Sequence, residues 1–410
     1  MILQKQYLKD LKDNFLPFWE GAIDTEYGGV FTCFTNDGKE KISDIKYIWS
    51  QGRFLWLGCN LLNKSNELSI KENSVWKEAV DKTYLFLKNN AVMNNNHIVY
   101  AVERDGTKIP NQMDISIFAD CFYVLGMNAY AKYKNKGNIF NETLEFYRSL
   151  KERIVKKDFK SEPYPIPKGF RSHSVPMILL NVSEELYETA KILDHSSRIE
   201  LYNDMKRNFH EIMNDFKDTN RIIEMLPVQP QDEQTLLARH VNPGHMLECV
   251  WFLLHSLNQL EMKDDKGYIE QFANMTEYAL NIGWDAKYDG ILRFVDIEGG
   301  EPKGEKRDEL LETLIIETWD TKLWWPHSEA LYTTLLLKQL TKDDKWDEWY
   351  KRIENYVFDT FPNEDKRIGE WIQIRDRKGE PSEKTVALPV KDPFHIIRNY
   401  LLILDLPGEE

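Results

Sequence analysis

Val241-Asn242-Pro243-Gly244-His245-Met246-Leu247-Glu248-Cys249-Val250-Trp251-Phe252-Leu253-Leu254 joins a helix start to a nearly unbroken apolar run. Proline suits the first turn of a helix, where its missing N–H is not needed. The residues from Met246 onward have helical period yet are apolar on most sides, so this helix belongs inside a protein. The next helical stretch, about 264–283, belongs to a second kind with ordinary charged surface faces, as in Trp76 to Lys88 and Trp346 to Val357. The alternation extends both ways along the chain. Twelve helices are predicted, at about 3–20, 47–64, 73–91, 113–135, 140–157, 171–194, 196–216, 241–261, 264–283, 322–340, 344–360 and 391–405. The even-numbered ones are the apolar ones. Six inner helices alternating with six outer ones predict an all-α, (α/α)6 barrel, or toroid, as a single domain over 1–410.

A turn pattern recurs between these helices: Asp24 to Phe31 before Asn36-Asp37-Gly38, Asn94 to Tyr100 before Arg104-Asp105-Gly106, Asp285 to Leu292 before Glu298-Gly299-Gly300, and Asp365 to Ile372 before Arg377-Lys378-Gly379. Asn, Asp and Gly tolerate the positive φ of tight hairpins. Each copy reads as two short strands around a turn, and all are expected at the end where the inner helices start. The segments 161–168 and 299–309 read as long loops.

The formal charge of −14 argues against nucleic acid and anionic membranes as partners. No run approaches the apolar length of a membrane span, and no signal pattern opens the chain, so a cytoplasmic protein is expected. The four cysteines, Cys33, Cys59, Cys121 and Cys249, form no Cys-x-x-Cys pair and read as buried, reduced thiols.

Unusual polar residues gather at the inner-helix starts. Together they offer Trp49, Gln51, Arg53, Asp120, Arg171, His173, Arg239, His240, Asn242, His245, Glu248, Trp324, Trp325, His327, Glu329, Phe394, His395 and Arg398 to one cavity. Histidine exchanges protons near neutrality, and five of the chain's nine histidines lie here. His245 and Glu248, three apart, share a helix face, so Glu248 is expected to orient the imidazole. Arg53, in an apolar helix, needs a partner: Glu248, Glu329, or the oxygens of a substrate. His327 reads equally as a proton carrier or as a structural histidine. No His-Glu-x-x-His run and no aspartate cluster spells a metal site, so none is expected. Paired carboxylates among Asp120, Glu248 and Glu329 would serve a glycoside hydrolase or lyase; the surplus of histidines favours proton shuttling.

The runs Lys46 to Arg53, Phe118 to Tyr123, Ser174 to Met177, Asn242 to Glu248, Trp324 to Ala330 and Pro393 to His395 resemble, in order, the N-acylglucosamine 2-epimerases. The resemblance implies the (α/α)6 barrel already counted. It implies interconversion of an N-acyl-D-glucosamine and an N-acyl-D-mannosamine, through ring opening, removal of the C2 proton and reprotonation of the enolate on its other face. It places the base and acid on His245 and His395, with Arg53 near the carbonyl oxygen. Trp49, Gln51, Asp120, Arg171, His173, His240, Asn242, Glu248, Trp325, His327, Glu329 and Phe394 are then expected to bind the sugar. No cofactor is required, nucleotide activation finds no support in the sequence, and a homodimer is common in the family. Pro326-His327-Ser328 leans toward the N-acylglucosamine branch, whereas Arg171 and His173 point to a different or anionic sugar. An aldose–ketose isomerase, or a 2-epimerase acting on mannose, glucose, cellobiose or sulfoquinovose, is the alternative within the same fold.

Overall fold

The computed structural model describes residues 2–68, 75–262, 265–384, 386 and 388–407. Among them the outer helices are α1 (2–21, with a π turn at Leu11–Phe15), α3 (Val75–Asn90), α5 (Gly137–Lys156), α7 (Arg198–Glu211), α9 (Lys266–Gly283) and α12 (Lys345–Thr360). The inner helices are α2 (Ile48–Asn63), α4 (Ile117–Lys134), α6 (Ser174–Ile192), α8 (Pro243–Gln259), α11 (Trp324–Thr341) and α13 (Phe394–Asp405). The predicted extensions of α3 to residue 73 and of α9 to residue 264 lie outside the described residues.

The inner helices are buried nearly all round, which explains their weak amphipathic patterning; in α4 every residue from Ala119 to Ala131 is buried. Outer helices bury one stripe, as α12 does with Trp346, Tyr350, Ile353 and Val357. The α2–α4 crossing is unusually close. A Cβ on Gly52 would lie 2.1 Å from the Phe122 carbonyl oxygen, and one on Gly126 would lie 2.6 Å from the Gly52 oxygen. Helix-interior glycine costs stability relative to alanine, and here it is the condition for two backbones to touch.

The inner helices start at the same end because each lead-in is clasped by the segment that leaves the next outer helix. Lys46–Tyr47 pairs antiparallel with Ala101–Val102, Phe170–Ser172 with Met225–Pro227, His240–Val241 with Val295–Asp296, and Lys322–Leu323 with Ile374–Arg375. A single bridge, Ser116 to Ser161, does the same before α4. The ring closes when the Lys391 N–H donates to the Thr32 carbonyl, at 2.8 Å. Tyr7 and Tyr400, from the first and last helices, pack edge to face with centroids 4.6 Å apart.

One expectation needs correction, and a helix falls outside the predicted twelve. The hairpin copies are tight turns, and isolated bridges close the first three, at Ile23 to Val30, Val92 to Ile98 and Trp284 to Ile291. Their longer pairings run to other loops. The charged piece after 299 leads into a further helix, α10 (Leu310–Thr318), nucleated by a reciprocal cap between Glu309 and Glu312.

Candidate active site

All six inner helices contribute to a cavity of about 410 Å³ at their N-terminal end. Trp49 and Arg53 come from α2, Phe118 and Phe122 from α4, Ser174 and Asn181 from α6. His245 and Glu248 come from α8, Trp325 from α11, Phe394, His395 and Arg398 from α13. Such a pocket, largely apolar with a few convergent polar groups, is the usual form of a small-molecule site.

Asn242 caps α8 by accepting from the His245 N–H at 3.2 Å, which fixes His245 in the first turn. Its Nδ1 lies 2.8 Å from Glu224 Oε1, so Nδ1–H donates to the carboxylate and Nε2 is left for the cavity. The expected orienter, Glu248, is engaged elsewhere. Burial disfavours the imidazolium, but attraction and the hydrogen bond from Glu224 outweigh it and hold His245 above its ordinary pKa. Glu224 itself is buried, yet His245 and His173 hold its carboxyl well below the usual range.

His395 is held differently. Its Nδ1 lies 2.7 Å from Glu329 Oε1, which again leaves Nε2 open. Arg398 Nη2 donates to Glu248 Oε1 at 2.5 Å and to Glu329 Oε1 at 2.6 Å. Burial pushes His395 down to about 3, with Arg53 and Arg398 adding to that against Glu248 and Asp392. One histidine is thus biased toward imidazolium and the other toward free base. Both rings neighbour the Trp325 indole, which lies 5.2 Å from the His245 ring and 5.5 Å from the His395 ring, centroid to centroid. Gly244 makes room for it, since a Cβ there would lie 2.6 Å from the indole.

Arg53 pairs with neither Glu248 nor Glu329. Its Nη1 lies 3.3 Å from Asp392 Oδ1, and its guanidinium is packed by Phe122, Trp49 and Phe394 at 4.1, 4.8 and 5.0 Å.

Asn242 and His240 line the cavity too; His240 is 1% exposed, bonded through Nδ1 to the Leu237 carbonyl, and kept neutral by burial. Glu329 stands behind His395 and also accepts from Trp251 Nε1 at 2.7 Å. Other expected binders lie away from the cavity. Gln51 grips the Val30 backbone through both ends of its amide. Asp120 meets Arg153 at 2.8 Å. His327 is fully buried between the Ile291 N–H and the Leu323 carbonyl. Arg171 points to the surface and pairs with Glu211 and Asp215. His173 is buried behind the wall, 3.3 Å from Cys249 Sγ and 3.8 Å from Glu224. Ligand atoms of Glu248, Glu329 and His395 lie within 4.8 Å of one another, but Arg398 already bridges both carboxylates.

Sequence reading missed Glu224 and Asp392 as supports for His245 and Arg53. The only signal for Glu224 is one acid within the apolar run Ile222-Ile223-Glu224-Met225-Leu226.

The family model for N-acylglucosamine 2-epimerase (GlcNAc 2-epimerase) matches residues 29–398. The chain belongs to the N-acylglucosamine 2-epimerase family. The N-acylglucosamine 2-epimerase of Bos taurus is 28% identical over 391 residues, covering 94% of this chain and 87% of that one. The structure of cellobiose 2-epimerase from Bacillus thermoamylovorans B4167 superposes with a TM-score of 0.76 at 16% identity, covering 98% and 99% of the two chains. A D-mannose isomerase structure gives 0.73 at 16% identity, covering 98% and 97%. These similarities show the (α/α)6 barrel, and within this family they show an enzyme of the carbohydrate epimerase class.

Proposed function

We propose that the chain interconverts an N-acyl-D-glucosamine and an N-acyl-D-mannosamine by moving the C2 proton between two histidines. The observation that carries this reading is the pair of imidazoles that both neighbour Trp325, each hydrogen-bonded to a carboxylate through Nδ1 and with opposite protonation bias. Inverting one carbon needs a base on one face and an acid on the other. In the open-chain sugar the C2 proton lies α to the C1 aldehyde. Neutral His395 takes it through Nε2, the electron pair passes into the C1 carbonyl as an enolate, and the His245 imidazolium delivers a proton to the opposite face. The reverse reaction exchanges the roles. Arg53, held by Asp392, faces the developing negative oxygen. A donor of that kind contributes about 3 kcal/mol, roughly a hundredfold or more in rate. No cofactor enters the chemistry. The ring works as one catalytic domain, and four free, buried thiols suit a cytoplasmic setting.

The test is proton NMR in D2O with N-acetylmannosamine and N-acetylglucosamine. The wild type should exchange the C2 proton and produce the epimer. His245→Asn and His395→Asn should each lose epimer formation by about 100-fold or more, while each still washes the C2 proton out of one epimer, a different one in each variant. Appearance of a ketose would assign an aldose–ketose isomerase. Epimerisation at the wild-type rate in either variant would overturn the two-histidine scheme.

A further inference from the structure

Arg293 lines the same cavity and is 7% exposed. It sits on the loop between α9 and α10, beside Phe294, Leu311, Leu314 and Val386. Its Nη1 donates to Thr318 Oγ1 at 2.9 Å and its Nη2 to the Val386 carbonyl at 2.8 Å, both neutral oxygens. Among the described residues no carboxylate pairs with it. Arg398 meets Glu248 and Glu329, Arg153 meets Asp114 and Asp120, and Lys46 meets Asp24; the buried Lys391 and Arg375 are held by carbonyl oxygens as Arg293 is, but neither lines the cavity. Burial lowers Arg293 to about 10, so it stays charged at neutral pH. It is close enough to His245 for its charge to oppose the imidazolium there.

A guanidinium in an apolar wall with no counter-charge is costly, and buried charges are normally paired. Its remaining N–H donors form a planar fork that matches two oxygens of a carboxylate or phosphate. In a chain of formal charge −14, a buried cation without a carboxylate partner in the cavity wall gives the site a positive charge against the overall field. We infer that Arg293 receives an anionic group of the substrate, so that the sugar is an N-acylhexosamine bearing a carboxylate or a phosphate. The inference rests on the epimerase reading. It replaces Arg171, which the structure places at the surface, as the residue that selects an anionic sugar.

The experiment compares C2 exchange in D2O for N-acetylmannosamine, N-acetylmannosamine 6-phosphate and N-acetylmannosaminuronic acid. At least one anionic sugar should exceed the neutral one tenfold or more in kcat/KM. Arg293→Gln should bring that ratio near one, mainly through KM, and Arg293→Lys should keep part of it. Preference for the phosphate or for the uronate identifies which anion the fork holds. The inference is overturned if the neutral sugar is used as well as both anionic ones, or if Arg293→Gln slows all three by the same factor; the epimerase reading survives either result. If no sugar exchanges, the epimerase reading fails, and calorimetric titration of the same sugars decides the inference separately. Tighter binding of an anionic sugar by the wild type than by Arg293→Gln supports it, and equal binding overturns it.

Discussion

At His245 and His395 one kind of side chain meets two surroundings. Glu224 holds a charge against His245, whereas Glu329 beside His395 is already engaged by Arg398 and Trp251. The consequence is testable in the pH profile. A group raised above its ordinary pKa keeps its proton until the pH passes the raised value, so activity that needs the His245 imidazolium falls as pH rises through it. Glu224→Gln removes the attraction, and the basic limb of kcat/KM should move to lower pH by about 1 unit or more. An unmoved limb would show that another group titrates there. The sequence located His245, His395 and Arg53 because helix starts were expected to face one cavity. It misplaced Gln51, Asp120 and His327 for a geometric reason. Each helical residue turns by about 100°, so Trp49 and Arg53 share a face that Gln51, midway between, turns away from. Phe118 and Phe122 stand in the same relation to Asp120, and Trp325 to His327. Spacing alone does not say which of two faces is turned inward.

Among the elements, α2 and α4 cross so closely that Gly52 and Gly126 bring their backbones into contact. Gly52→Ala has to force a methyl against the Phe122 carbonyl. Overpacking of this kind costs about 1–3 kcal/mol, and a backbone atom gives way less than a side chain. Urea unfolding should show a lowered midpoint, and kcat/KM should fall as well, because Arg53 and Phe122 flank the same contact. A variant as stable as the wild type would mean that the two helices can part. The helices themselves were legible from period and burial pattern, within a few residues at each end. The clasps were not, because each joins two- or three-residue strands separated by an inner helix and the outer helix after it, with no local pattern to mark the partner. Helix α10, nine residues long after a charged stretch, was too short for its period to register.

Across the whole molecule, two buried ion clusters tie hairpins to lead-ins at separate places on the ring. Asp24 takes Lys46 at 2.8 Å and Arg104 at 3.0 Å; Asp285 takes Lys322 at 3.4 Å and Arg377 at 3.0 Å. Burial alone would raise both carboxyls, but the cations hold them below the usual range. A depressed carboxyl contributes stability that is present above its unfolded pKa of about 4 and is lost as the pH falls through the folded value. Urea midpoints should therefore drop below pH 4 in the wild type. Asp24→Asn should lose about 3–5 kcal/mol at pH 7, because Lys46 stays buried without its carboxylate, and should show a flatter acid limb. Equal acid sensitivity in the two proteins would place the titration elsewhere.

The clasps around the mouth act like the hoop on a cask, gripping every stave at one rim. That hoop is made of main-chain atoms, from the Lys46–Val102 pairing round to the bond between Lys391 and Thr32. Peptide groups carry no side-chain identity, so the pairings themselves tolerate re-lettering, except where a buried carboxylate holds a clasp lysine, as Asp24 holds Lys46 and Asp285 holds Lys322. A cellobiose epimerase and a mannose isomerase that keep the barrel at 16% identity are what such a frame permits. In this chain the wall includes a guanidinium, that of Arg293, held only by neutral oxygens.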